Sequence, residues 1–103
     1  MQKLTLFYLE SCPYCRNALA ALDALRNADP DYAAVEIDMI EESRQPEIAE
    51  RYDYYRVPTI FAGDKKLYEA KLFDSYDVIK SNVQAALDTA LKTSHKRFGG
   101  KEV

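Results

Sequence analysis

An apolar run, Leu4-Thr5-Leu6-Phe7-Tyr8-Leu9, gives way to Cys12-Pro13-Tyr14-Cys15, and that to a helix-periodic run from Arg16 to Ala28. This order constrains the chain more than any other feature. The first run is short, β-prone and nearly continuous in apolar character, which reads as a central strand buried on both faces. Pro13 suits the first turn of a helix, where its missing N–H costs nothing. A Cys-x-x-Cys at such a strand-to-helix junction puts its first sulfur at a helix N-terminus. There the unpaired backbone N–H groups and the positive end of the helix dipole favour a thiolate.

The rest of the chain continues the alternation. Leu19, Leu22 and Leu25, with Ala18 and Ala21, give the first helix an apolar face, and Asn27 to Asp31, with Pro30, ends it. A second strand is expected over Ala33 to Asp38. A second helix is expected over Ser43 to Tyr52, with Ser43 as N-cap and Pro46 in the first turn. Val57 to Phe61 reads as a third strand, Gly63-Asp64 as a tight turn, and Lys65 to Ala70 as a fourth strand pairing back. Asp74 or Ser75 caps a last helix to about Leu91, with Val78, Ile79, Val83, Ala86, Leu87 and Ala90 as its buried stripe. The fold class is α/β, ordered β-α-β-α-β-β-α. Two β-α-β crossings call for parallel strands and the Gly63 turn for an antiparallel hairpin, giving a four-stranded mixed sheet with helices on both faces. Residues 1–91 form one domain, and the polar residues 92–103 a flexible tail.

Bulk properties exclude several classes. A chain of 103 residues fits one core, and 48% hydrophobic residues suffice to fill it. A net charge of −3 offers no basic field for nucleic acid or an anionic membrane. The basic tail, with Lys92, Lys96, Arg97 and Lys101, reads as solvated, and the lone His95 within it as non-catalytic. No apolar stretch approaches the ~20 residues that span a bilayer. Glu10 cuts the first apolar run too early for a secretory signal. The expectation is a cytoplasmic monomer in a reducing compartment, where a Cys-x-x-Cys means redox or metal chemistry.

In the redox reading Cys12 attacks a disulfide, and Cys15, deeper and with a more ordinary pKa, resolves the mixed disulfide. Zinc within one chain lacks further ligands, because there is no second Cys-x-x-Cys and only one His, although a site shared between two chains stays open. Haem attachment needs a His where Arg16 stands. Val57-Pro58 opens a strand beside this motif, and X-Pro carries a cis penalty of only about 0.5–1 kcal/mol. A cis bond there turns the Val57 backbone toward an incoming chain, which can pair with it like an added strand. Tyr52, Tyr54 and Tyr55 form either an aromatic wall for a substrate or a helix end packed on the sheet.

Cys12-Pro13-Tyr14-Cys15, the Val57-Pro58 strand and the element order resemble the glutaredoxin branch of the thioredoxin superfamily over about residues 3 to 91. The Pro-Tyr pair between the cysteines is typical of dithiol glutaredoxins. The resemblance implies a thioredoxin-like fold, Cys12 as nucleophile, Cys15 as resolving thiol, Pro13 and Tyr14 lining the groove, and Val57-Pro58 as the cis-proline platform. It implies no bound cofactor, and glutathione as co-substrate. The glutathione pocket departs from the family pattern. Leu9 stands where the family carries a cation before the first Cys, and Arg56 stands for the Thr before Val57. Tyr68-Glu69-Ala70-Lys71 replaces a Gly-Gly stretch, and Asp74-Ser75 is the displaced counterpart of an Asp pair. Arg56 or Lys71 is a substitute cation or a solvated one, and the helix start at Asp74 and Ser75 can accept a carboxylate.

The expected activity is therefore thiol–disulfide exchange on disulfide-containing proteins or glutathione mixed disulfides. Two further readings stay open. One is a reductant recharged by a thioredoxin-reductase-type flavoenzyme without glutathione. The other is a non-catalytic module holding zinc or an iron–sulfur cluster.

Overall fold

The computed structural model describes residues 2–99, with side chains over 2–92. The elements are β1 (Leu4–Tyr8), α1 (Pro13–Ala28), α2 (Pro30–Ala33), β2 (Ile37–Glu41), α3 (Pro46–Ala49), β3 (Thr59–Ala62), β4 (Lys65–Glu69) and α4 (Tyr76–Gly99). The strands form one four-stranded sheet in the order β2-β1-β3-β4. This is the expected α/β, thioredoxin-like arrangement.

Alternation along β1 sorts the core into two layers. Leu4 and Leu6 point to one face, where they meet Ala18 and Leu25 of α1 and Ile79, Val83 and Leu87 of α4. Phe7 points to the other, against Ile40, Phe61, Ile48, Tyr52 and Tyr54. Its ring lies 4.7 Å from that of Tyr52 and 4.8 Å from that of Tyr54. Those two tyrosines thus pack under the sheet and are no wall for a substrate, whereas Tyr55 is 89% exposed.

The second crossing departs from expectation. β1 and β2 run parallel, but β3 is antiparallel to β1 and β4 antiparallel to β3. The expected helix over Ser43 to Tyr52 is a single turn, Pro46–Ala49. One turn rises about 6 Å, so this helix does not span the sheet as a crossover helix does along a five-residue strand of about 17 Å. The chain enters β3 from the end at which β2 leaves. Ser43 is not its N-cap, since its hydroxyl donates to Glu41 and Gln45 occupies the cap position.

Other boundaries shift for local reasons. Asp29 accepts the Asp31 N–H at 2.9 Å and starts the unexpected α2. That helix buries Tyr32, whose hydroxyl donates to Asp88 at 2.7 Å. It consumes Ala33, so β2 begins at Ile37 and runs to Glu41. β3 begins at Thr59, because Pro58 has no N–H to give a ladder. Val78 of the expected stripe is 44% exposed, while Ile79, Val83, Ala86, Leu87 and Ala90 are buried. α4 continues past Leu91 to Gly99, and the side chains of the expected tail from residue 93 on lie outside the described residues.

Candidate active site

Cys12 is the N-cap of α1, in extended conformation, with Pro13 following in the first turn. Its N–H donates to the Leu9 carbonyl at 3.2 Å and its carbonyl accepts the Arg16 N–H at 3.0 Å. The turn is thus closed by backbone, and the Cys12 side chain caps nothing. Its sulfur is half-buried, while Cys15 one turn on is fully buried. The Leu9 N–H donates to Cys15 Sγ at 3.4 Å. Burial, only partly offset by that N–H, pushes the Cys15 thiol up to about 12. The ordinary pKa expected for Cys15 is therefore corrected upward.

Val57-Pro58 is a cis peptide, as expected. Cys12 Sγ lies 3.9 Å from the Val57 carbonyl oxygen. The flanking backbone is tied down. Glu69 Oε2 accepts the N–H groups of Tyr55 at 2.6 Å and Arg56 at 2.7 Å. The Thr59 hydroxyl donates to the Arg56 carbonyl, and the Ala70 N–H to the Pro58 carbonyl at 3.0 Å. Among the described residues the Val57 N–H has no backbone or side-chain acceptor. An unpaired N–H and a carbonyl beside a thiol can receive an extended chain as an added strand.

The loop before α4 closes the other side. Tyr14 Oη accepts the Phe73 N–H at 2.9 Å. Asp74 Oδ2 accepts the Lys71 N–H at 3.0 Å and the Tyr68 hydroxyl at 2.8 Å. These donors hold the Asp74 carboxyl below the ordinary carboxylate range. Burial and the same Asp74 push the Tyr68 hydroxyl up. Asp74 is therefore engaged in its own turn, and the cap of α4 is Ser75, whose Oγ accepts the Val78 N–H at 3.2 Å. Arg56 is exposed and makes no ion pair among the described residues.

The structure thus brings Cys12, Cys15, Tyr14, Val57 and Pro58 to one edge of the molecule and gives Asp74 and Ser75 structural partners. Three participants escaped the reading of the sequence. In the sequence Glu69 registers only as a departure from glycine. Phe73, at φ 71, has a left-handed backbone that no rule assigns to Phe. Glu41 is buried at the end of β2, and its carboxylate accepts the Glu10 N–H of the loop before Cys12 at 3.0 Å. A buried acid in a strand leaves no mark in the sequence until its partners are known.

Comparison with known proteins now decides the family. The Glutaredoxin family profile matches residues 4–67. The chain belongs to the glutaredoxin family. Its function is accordingly of the thiol–disulfide oxidoreductase type. Among solved structures, a mutant thioredoxin from Halobacterium salinarum superposes with a TM-score of 0.52 at 20% identity, covering 80% of this chain and 71% of that one. The zinc-bound form of human ERp44 superposes with a TM-score of 0.51 at 18% identity, covering 82% of this chain but only 26% of ERp44. These two likenesses establish the shared fold. No curated protein sequence matches the chain. No helix among the described residues is long and apolar enough to cross a membrane.

Proposed function

We propose that this glutaredoxin-family protein reduces disulfides of polypeptides or glutathione mixed disulfides in a reducing compartment, by exchange through Cys12 and then Cys15. The Cys12 thiolate attacks one sulfur of the target, forming a mixed disulfide and expelling the other sulfur as thiolate. Cys15 then gives up its proton to the expelled target thiolate or to water and attacks Cys12 Sγ as thiolate. The second target thiolate leaves, and a Cys12–Cys15 disulfide remains. Two electrons have passed to the target, and an external thiol pair or a flavoenzyme returns them. The carrying observation is the approach of half-buried Cys12 Sγ to the Val57 carbonyl at 3.9 Å, with Cys15 fully buried behind it. The high pKa of Cys15 supports its assignment to the second step, since a protonated buried thiol does not open the attack.

The test is removal of glutathione from a glutathionylated peptide. Wild type and Cys15→Ser should both turn over with free glutathione, and Cys12→Ser should be inert. Full activity in Cys12→Ser would sink the assignment. The second reading, a reductant fed by a protein and not by glutathione, is favoured by Leu9 in place of a cation and by the Glu69 carboxylate beside the platform. It predicts negligible turnover of the glutathionylated peptide in a protein that still reduces a protein disulfide. Visible absorbance or bound metal in the purified protein would mark the remaining reading, a metal or cluster module.

A further inference from the structure

The platform opposite Cys12 is built on a loop that joins no strand ladder. Residues 51–58 carry no regular secondary structure, and free loops move on ns–μs timescales. Yet Val57 stands between two tethers, both from the end of β4. On one side the Glu69 carboxylate takes the N–H groups of Tyr55 and Arg56, and on the other the Ala70 N–H takes the Pro58 carbonyl. The carboxylate is itself fixed, because Lys66 Nζ pairs with its other oxygen at 2.6 Å. The same ammonium donates to the Asp53 carbonyl at 3.3 Å, binding the start of the loop as well. One acidic side chain and its lysine thus hold three loop residues.

We infer that Glu69 is a positioning residue for exchange at Cys12: gripped by Lys66, it fixes the Tyr55–Arg56 backbone and so keeps the Val57 rung beside the sulfur. The inference rests on the exchange chemistry proposed above. A purely structural role predicts something else. Tyr55 and Arg56 are exposed, so water can replace the carboxylate at their N–H groups, and loss of Glu69 should cost the fold little. What it should cost is alignment, to which a displacement of about 1 Å can matter as much as 10²-fold in rate.

The experiment compares wild type, Glu69→Ala, Glu69→Gln and Lys66→Met. The probes are a disulfide-bonded peptide, which uses the platform, and iodoacetamide, which needs only the Cys12 sulfur. Glu69→Ala should lose about tenfold in kcat/KM for the peptide, mainly through kcat, and alkylate within about twofold of wild type. Glu69→Gln keeps an oxygen for both N–H groups and should stay within about threefold of wild type. Amide hydrogen exchange of Tyr55 and Arg56 should accelerate in Glu69→Ala and not in Glu69→Gln. If Glu69→Ala fails to fold, Lys66→Met takes its place, with about threefold loss expected. Wild-type kinetics in these variants, or an equal loss toward iodoacetamide, overturns the role while leaving the exchange reading intact. A wild type inert toward every disulfide overturns both.

Discussion

Tyr14 Oη accepts the Phe73 N–H at 2.9 Å, which ties the second residue of α1 to the loop before α4. The bond holds a residue whose own backbone disfavours its place. Phe73 has φ 71 and is 85% exposed. A left-handed conformation costs an L-residue roughly 1–2 kcal/mol, and little ring burial offsets it here. Phe73→Asn, which tolerates that region, should raise the unfolding free energy by about 1 kcal/mol. Urea titration measures it, and a lower midpoint would mean the ring makes contacts that matter.

Cys15 offers a prediction in alkali. Its thiol is raised from 9.0 to about 12 by burial, so it stays protonated in the fold where the unfolded chain has lost the proton. Its contribution to stability is complete below about 9 and falls away as pH rises toward about 12. Reduced wild type should lose stability across that window more steeply than Cys15→Ala, measured by denaturant unfolding. At neutral pH iodoacetamide should label Cys12 and spare Cys15, which mass spectrometry reads directly. Equal labelling of both would contradict the burial argument.

Glu41 contributes to the acid side, as do Glu69 and Asp74, whose carboxyls are also held low. The Ser43 hydroxyl and the Glu10 N–H, with the N–H groups of Ser43 and Arg44, outweigh burial and hold its carboxyl below the ordinary range. A depressed carboxylate contributes stability above its unfolded pKa, about 4.3, and loses it as pH falls through the folded value. Glu41→Gln should therefore melt lower at neutral pH and show a shallower acid limb. An acid limb as steep as that of wild type would place the titration elsewhere.

Phe7 tests the second core layer. It is fully buried between Tyr52, Tyr54 and Phe61. Phe7→Ala should cost about 3–5 kcal/mol. Total stabilities run at about 5–15 kcal/mol, so that loss leaves little margin. Phe7→Leu keeps most of the volume and should cost well under half as much by the same titration. Similar losses for both would show that ring contacts, not volume, carry the site.

Much of the site was legible because its signals are local. Cys12, Pro13 and Cys15 lie within one turn, and a Pro after an apolar strand marks the helix start at once. Val57-Pro58 was legible as a dipeptide. Its distance from Cys12 was not, since the two are 45 residues apart. Glu69, Glu41 and Phe73 were not legible at all. Each is defined by which backbone N–H groups reach it, or by which acceptor takes its own N–H, and that is settled only when β4, β2 and α1 are packed.

The sequence by itself determined the α/β class, the strand-to-helix seat of the cysteines and the two-sided burial of β1, because periodicity, capping and proline chemistry act over a few residues. Only the tertiary structure decided that β3 runs antiparallel to β1, that the second helix stops after one turn, and that Cys15 is buried enough to be raised to about 12. Those outcomes depend on which layers meet across the sheet. Desolvation and strand direction are properties of neighbours distant in sequence, and no short segment encodes them alone.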